Sequence, residues 1–303
     1  MPVQFDPIQT APWNAKKGII VRGYSPLGLY PMKSFQHKDA AFVVGKDLVF
    51  SLVRFEDCEI DDYYLDNEWL SPFEIKLIGA LTVSVNPFQV GKVFPYPLPW
   101  SIKVEDDSEL HLGDENIWQD FEEFLKNKIN ETPNPFNDPT PLPAFASGQN
   151  YDLHERAHES NRQNEIFENI DIEDHLLIRG LGALVKGNLL KRHYIFHTEA
   201  CISAHIAMEA TLHLILRRLK KIKNNPSNED ASKYLAKQLK QKNYPTKYFE
   251  EYYEDRIKAV HPENRFGTFP DAPLSADDFY DLCDDLIGVY DFLITGNTEI
   301  GML

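Results

Sequence analysis

Between Thr132 and Pro143 the chain reads TPNPFNDPTPLP, five prolines in twelve residues. Proline locks φ and removes a backbone donor, so neither a helix interior nor a central strand can pass through this stretch. A chain of 303 residues interrupted there divides into two regions. The polar run that follows lengthens the break, giving an expected domain at 1–145, a linker at 146–165 and a second domain at 166–303. The two regions carry different hydrophobic periods. The expected class is α+β, a mostly-β domain followed by an all-α helical bundle.

The first region is punctuated by short β-branched and aromatic runs. Gly18 to Arg22, Ala41 to Val44 and Leu48 to Phe55 are strand candidates, and Gly45-Lys46-Asp47 between the last two suits a hairpin. Ile75 to Val85 (IKLIGALTVSV), ended by Asn86-Pro87, is expected to be a further strand, and Ser101 to Val104 an edge strand. The region's one expected helix opens at Asp114, with Ile117, Trp118, Phe121, Phe124 and Leu125 at helical spacing. Its acidic clusters at 56–68 and 105–115 lack the ordered oxygen ligands of a cation loop and read as solvated loops.

The second region is helical throughout. Apolar rhythm predicts helices over Ile172 to Leu190, Tyr194 to Lys223, Asn228 to Lys242 and Thr246 to His261, and a last one capped by Ser275 and followed by Gly296. Asn224-Asn225-Pro226 stops the longest. Gly180, Gly182 and Gly187 follow a helical pattern, not a strand, so they suit close helix packing better than a phosphate cradle.

Charge is distributed unevenly. The whole chain carries a formal −16, which argues against a general nucleic-acid binder. Yet Lys186 to Lys247 holds 13 Lys and Arg against 4 Asp and Glu, a basic segment in an acidic protein. Such a segment suits a polyanion site, or pairs with the acidic regions of the same chain or of a second copy. The start MPVQFDPIQT lacks a basic stretch leading into an apolar one, and no uninterrupted apolar run approaches the length of a membrane span. Three scattered cysteines (Cys58, Cys201, Cys283) form no disulfide framework and suit a reducing cytoplasm.

Two features carry chemistry. Along the longest helix, His193, His197, Cys201, His205, Glu209 and His213 recur at every fourth residue. Adjacent members share a face and could bind a metal for hydrolysis, but each step drifts by about 40°, so the ladder cannot act as one site. It lacks HExxH and the spacing of di-iron bundles, and lining a helix or subunit interface is the plainer reading. Glu209, between Ala207, Met208 and Ala210, is expected to be partly buried. The second feature is the stretch YFEEYYEDRIKAVHPENRFGTFP from Tyr248 to Pro270. Phe249, Tyr253, Ile257 and Val260 form an apolar face, and Pro262 ends the helix at His261. Arg256 and His261 would lie roughly 140° apart on an ideal helix, but the break allows the His261 ring to be re-aimed. The plain alternative pairs Arg256 with Glu251, Glu254 or Asp255 and leaves His261 to the helix dipole.

The combination of SAHIAMEA (203–210), RIKAVHPENRFG (256–267) and PLSADDFYDLCDDLIGVYDFLITG (273–296) resembles the HEPN superfamily (higher eukaryotes and prokaryotes nucleotide-binding). The resemblance spans about 166–296. It implies a homodimer in which two Arg-x4-His motifs meet, acting as a metal-independent endoribonuclease with no cofactor, of the toxin or phage-defence type. It implies that His261 is the general acid or base and Arg256 stabilises charge on the phosphate, with Glu209, Asn264 and Arg265 supporting. RNA would follow the basic segment at 186–247, and an antitoxin or ligand would bind the β-rich domain. Active members carry a polar residue after the arginine, whereas this chain has Ile257. A catalytically silent module for dimerisation, RNA or ligand binding is therefore the alternative.

Overall fold

The computed structural model describes residues 3–7, 17–26, 35–44, 49–56, 70–84, 93–95, 100–104, 160–191, 196–239, 249 and 276–298. Among the described residues seven strands lie in the first region: β1 (Val3–Pro7), β2 (Lys17–Pro26), β3 (Phe35–Gln36), β4 (Ala40–Val44), β5 (Val49–Glu56), β6 (Val93–Pro95) and β7 (Trp100–Val104). Six helices are described: α1 (Pro72–Ser84), α2 (Ser160–Asn169), α3 (His175–Leu190), α4 (His197–Leu219), α5 (Asn228–Gln238) and α6 (Ala276–Thr295). The class is α+β. The expected Asp114 helix, the proline-rich stretch and the helix from Thr246 lie outside the described residues, Phe249 excepted, which is helical and buried.

The chain forms two compact units, one of residues 1–77 and 89–164, the other of 78–88 and 165–303. In the first, the strands build one antiparallel sheet in the order β1-β7-β2-β5-β4-β3, with β6 also on β2. The expected hairpin is present: β4 and β5 pair from Ala40↔Val53 to Val44↔Val49. Successive residues of a strand face opposite sides, yet Ser51, Leu52 and Val53 are all buried, so this part of the sheet is covered on both faces.

Ile75 to Ser84 is helical, which corrects the strand expected there. The start is written in Ser71-Pro72-Phe73-Glu74, a capping box with proline at the first helical position. The Glu74 backbone N–H donates to Ser71 Oγ at 3.3 Å, and the Ser71 N–H donates to Glu74 Oε2 at 2.8 Å. Periodicity misleads because the helix has no polar face: Leu77, Ile78, Ala80, Leu81 and Val83 are all buried. A continuous apolar run does not by itself distinguish strand from helix. Thr82, buried within this run, donates its hydroxyl to the Ile78 carbonyl at 2.8 Å, so the helix itself satisfies that polar group.

Helix α2 begins at Ser160, within the segment expected to be linker. Asp174 caps α3, its carboxylate accepting from the Leu177 N–H at 3.2 Å. Helix α5 is capped by Ser227 in a capping box with Asp230, one residue ahead of the expected Asn228. Gly296 follows α6 with φ +77, the left-handed conformation of a helix end.

Helices α3 and α4 pack antiparallel through the glycines. A Cβ on Gly187 would meet the Ala200 carbonyl at 3.2 Å and the Ala204 nitrogen at 3.3 Å. A Cβ on Gly180 would meet Ala210 Cβ at 2.7 Å. Helix α6 closes the bundle, burying Phe279, Leu282, Leu286, Val289, Tyr290 and Leu293. Tyr290 reaches into the hollow over Gly180 and donates to the Ala207 carbonyl at 2.8 Å. Its burial pushes the phenol well above the usual tyrosine range.

The open end of the α3–α4 pair is tied by charge. Arg217, in the last turn of α4, donates to Asp174 Oδ1 at 3.1 Å and also to Oδ2. Burial acts to raise the Asp174 carboxyl, but hydrogen bonds from Arg217 and Leu177 and the Arg217 charge outweigh it, and the net direction is down. A lowered folded-state value contributes stability above the ordinary carboxylate range that fades as pH falls through the folded value. Because Arg217 is 54% exposed, solvent screening limits the pair to about 0.5–1 kcal/mol. Asp174→Asn, which still caps α3, is expected to lose that amount at neutral pH. Urea unfolding should show the difference from wild type closing as pH falls below the ordinary aspartate value of about 3.9 and through the lowered folded-state value. A difference unchanged in acid would refute the ion-pair origin.

Candidate functional site

Helix α4 brings most of the described chemistry together. Its polar ladder is not one surface: His197, Cys201 and His205 are buried, Glu209 is half-buried and His213 is exposed. That progression is the expected drift of about 40° per four residues, which carries the row from core to solvent. His193 lies outside the described residues. Among the described residues no group of three or more His, Cys, Asp or Glu side chains is placed to hold a metal ion. Glu209 sits between buried Ala207, Met208 and Ala210, as its neighbours implied.

The same helix meets the length and composition of a membrane span, an exception to the expected lack of one. Most of the qualifying window is buried inside the unit, as in the core helix of a bundle.

Where α3 ends and α4 begins, three side chains form a hydrogen-bonded chain. Lys191 follows the last turn of α3, and its Nζ lies 2.6 Å from His197 Nδ1. An ammonium can only donate, so Nδ1 accepts and the proton of a neutral imidazole sits on Nε2. That Nε2–H points to Cys201 Sγ at 3.8 Å, a long contact of the kind sulfur makes. Helix α6 completes the group. The Phe279 ring lies 5.2 Å from Lys191 Nζ and stands edge-on to the His197 ring at 6.2 Å. Burial pushes the Lys191 ammonium down from its ordinary value, against the pull of the Cys201 and Cys283 thiols in their ionised form. Spacing within α4 brought His197 and Cys201 to notice, but not Lys191. It precedes the interhelical connection, and only the antiparallel return of α4 brings it to the imidazole.

The basic segment is partly neutralised within the unit. Arg217 pairs with Asp174, Lys223 with Asp230 at 2.6 Å and Lys233 with Glu229 at 2.5 Å. Lys186, Lys220, Lys221 and Lys237 are exposed. Arg218 donates to the Leu293 carbonyl and lies 5.4 Å from the Phe292 ring, joining α4 to α6.

No family model matches this chain, and no curated protein or solved structure matches it significantly. Arg256, His261, Asn264 and Arg265 lie outside the described residues, between α5 and α6 in the chain. The basis for that site is therefore the residues themselves and the helical setting on either side of them.

Proposed function

We propose that the chain is a metal-independent endoribonuclease of HEPN type, acting in the cytoplasm as a homodimer in a toxin or phage-defence role. The observation that supports it is the Arg256-x4-His261 motif, which falls in the sequence between α5 and α6, in a unit whose described elements are helices around the long α3–α4 pair. In this reading His261 moves the proton of a ribose 2′-hydroxyl as it attacks the adjacent phosphate. Arg256 stabilises the charge that develops on the phosphate oxygens through its two-pronged guanidinium. Asn264, Arg265 and Glu209 support the pair. Lys220 and Lys221, just after α4, and Lys237 of α5 are exposed cations that would meet an RNA backbone.

A second reading has its own support. Ile257 follows the arginine, and three cations of the basic segment are already paired with acids of the same chain. Both favour a silent module for dimerisation or ligand sensing. Cleavage of an RNA panel in EDTA by wild type, Arg256→Ala and His261→Ala tests the assignment. Each substitution is expected to lower the rate by about 10²–10⁴-fold. Cleavage that survives both substitutions would exclude the motif as the site. No cleavage by a wild-type chain that light scattering shows to be dimeric would favour the silent module.

A further inference from the structure

We infer that Lys191 is an acyl-acceptor site, a lysine whose amine takes a small acyl group from an activated donor, with His197 as the local base. The inference is independent of any ribonuclease activity. Its support is the geometry where α3, α4 and α6 meet. A nucleophilic lysine needs its amine close to a base, and Nζ lies 2.6 Å from a ring nitrogen whose lone pair faces it. That lone pair is held available because the other ring nitrogen carries its proton toward Cys201 Sγ. Burial outweighs the pull of the Cys201 and Cys283 thiols on the amine's charge, while the Phe279 ring, 5.2 Å from Nζ, favours the charged form through a cation–π contact. On balance desolvation lowers the ammonium's hold on its proton.

The same surroundings select the electrophile. Alkylation would leave a cation in a partly desolvated place, whereas acylation replaces it by a neutral amide. The closeness of Phe279 and His197 favours the smallest acyl groups. In the reaction the Lys191 ammonium first gives one proton to solvent, and the freed lone pair attacks the carbonyl carbon of an acyl phosphate or acyl thioester, forming the N–C bond. His197 Nδ1 takes the proton that nitrogen releases. The bond from the carbonyl carbon to phosphate or thiolate then breaks, and the leaving group departs with the electron pair.

Limited treatment of the full chain with acetyl phosphate at neutral pH, followed by peptide mass spectrometry, tests this. Lys191 is expected to be acetylated about fivefold or more faster than exposed Lys220 and Lys221 of the same molecules. His197→Gln keeps a hydrogen-bond acceptor of similar reach but provides no base, and it should bring Lys191 down to the rate of those lysines. A thermal melt of the variant confirms that it is folded, and Lys220 and Lys221 should be unaffected. Wild-type Lys191 reacting no faster than Lys220 and Lys221 overturns the site. Undiminished selectivity in folded His197→Gln overturns the role of the imidazole.

Discussion

Glu74→Ala is expected to destabilise the β-rich unit by about 3–5 kcal/mol, the cost of leaving a buried charge without its partner. Arg22 stands on β2 opposite Ser51 of β5, and both Arg22 and Glu74 are 0% exposed. The guanidinium grips the carboxylate with two prongs, its second amino group donating to Glu74 Oε2 at 3.1 Å and its Nε to Oε1. The same carboxylate accepts the Ser71 N–H, so one side chain neutralises the sheet's arginine and caps α1. Glu74→Gln should be milder. It retains shape and an acceptor for Ser71 but removes the charge that Arg22 needs. A double change, Arg22→Met with Glu74→Leu, should recover much of the loss, because an apolar pair of similar volume avoids the desolvation of two ions. Urea unfolding followed by tryptophan fluorescence and circular dichroism measures the series. Glu74→Ala within 1 kcal/mol of wild type, or a double variant no better than the single, would contradict this account of the pair.

Gly180→Ala should cost about 2–3 kcal/mol, although alanine is the better helix former by about 1 kcal/mol. The added Cβ would collide with the Tyr290 hydroxyl oxygen and stand 2.7 Å from Ala210 Cβ. Neither neighbour can easily retreat. Tyr290 is fully buried and tied to the Ala207 carbonyl, and Ala210 is rooted in α4. The helices must therefore separate. Tyr290→Phe provides the diagnostic cycle. In the wild-type background it loses a buried hydrogen bond and should be destabilising. In the Gly180→Ala background the departing hydroxyl makes room, so the same change should cost less or become favourable. Additive effects of the two substitutions would place the strain elsewhere. Gly187→Ala is a milder comparison, with its nearest atoms at 3.2 and 3.3 Å.

Helix α6 was legible before any coordinates. Its apolar residues recur at helical spacing, and Gly296 marks its end because only a residue without a Cβ enters the left-handed region freely. The β4–β5 hairpin was legible for the same local reason, two β-rich runs joined by Gly45-Lys46-Asp47. Helix α1 was misread through its period, although Ser71-Pro72-Phe73-Glu74 already spelled its start. Packing on every side removed the polar face that would have revealed it. The Arg256 and His261 pair remains a proposal drawn from the residues, since it falls outside the described structure.

What the sequence determined by itself was local: where chain direction must break, which residues cap helices, and which faces are apolar. Those follow from dihedral limits and periodicity within a few residues. Only the tertiary structure decided the pairings between distant parts. It set Arg22 against Glu74, Tyr290 over Gly180, Arg217 on Asp174 and Lys191 on His197. The reason is burial. A charge or hydroxyl taken from water must find its partner wherever the packed elements present one, and no spacing along the chain encodes that distance. The proline-rich stretch between Thr132 and Pro143 divided the two patterns in the sequence. Compact packing then drew the division differently, assigning residues 78–88 to the helical unit although they precede that stretch in the chain.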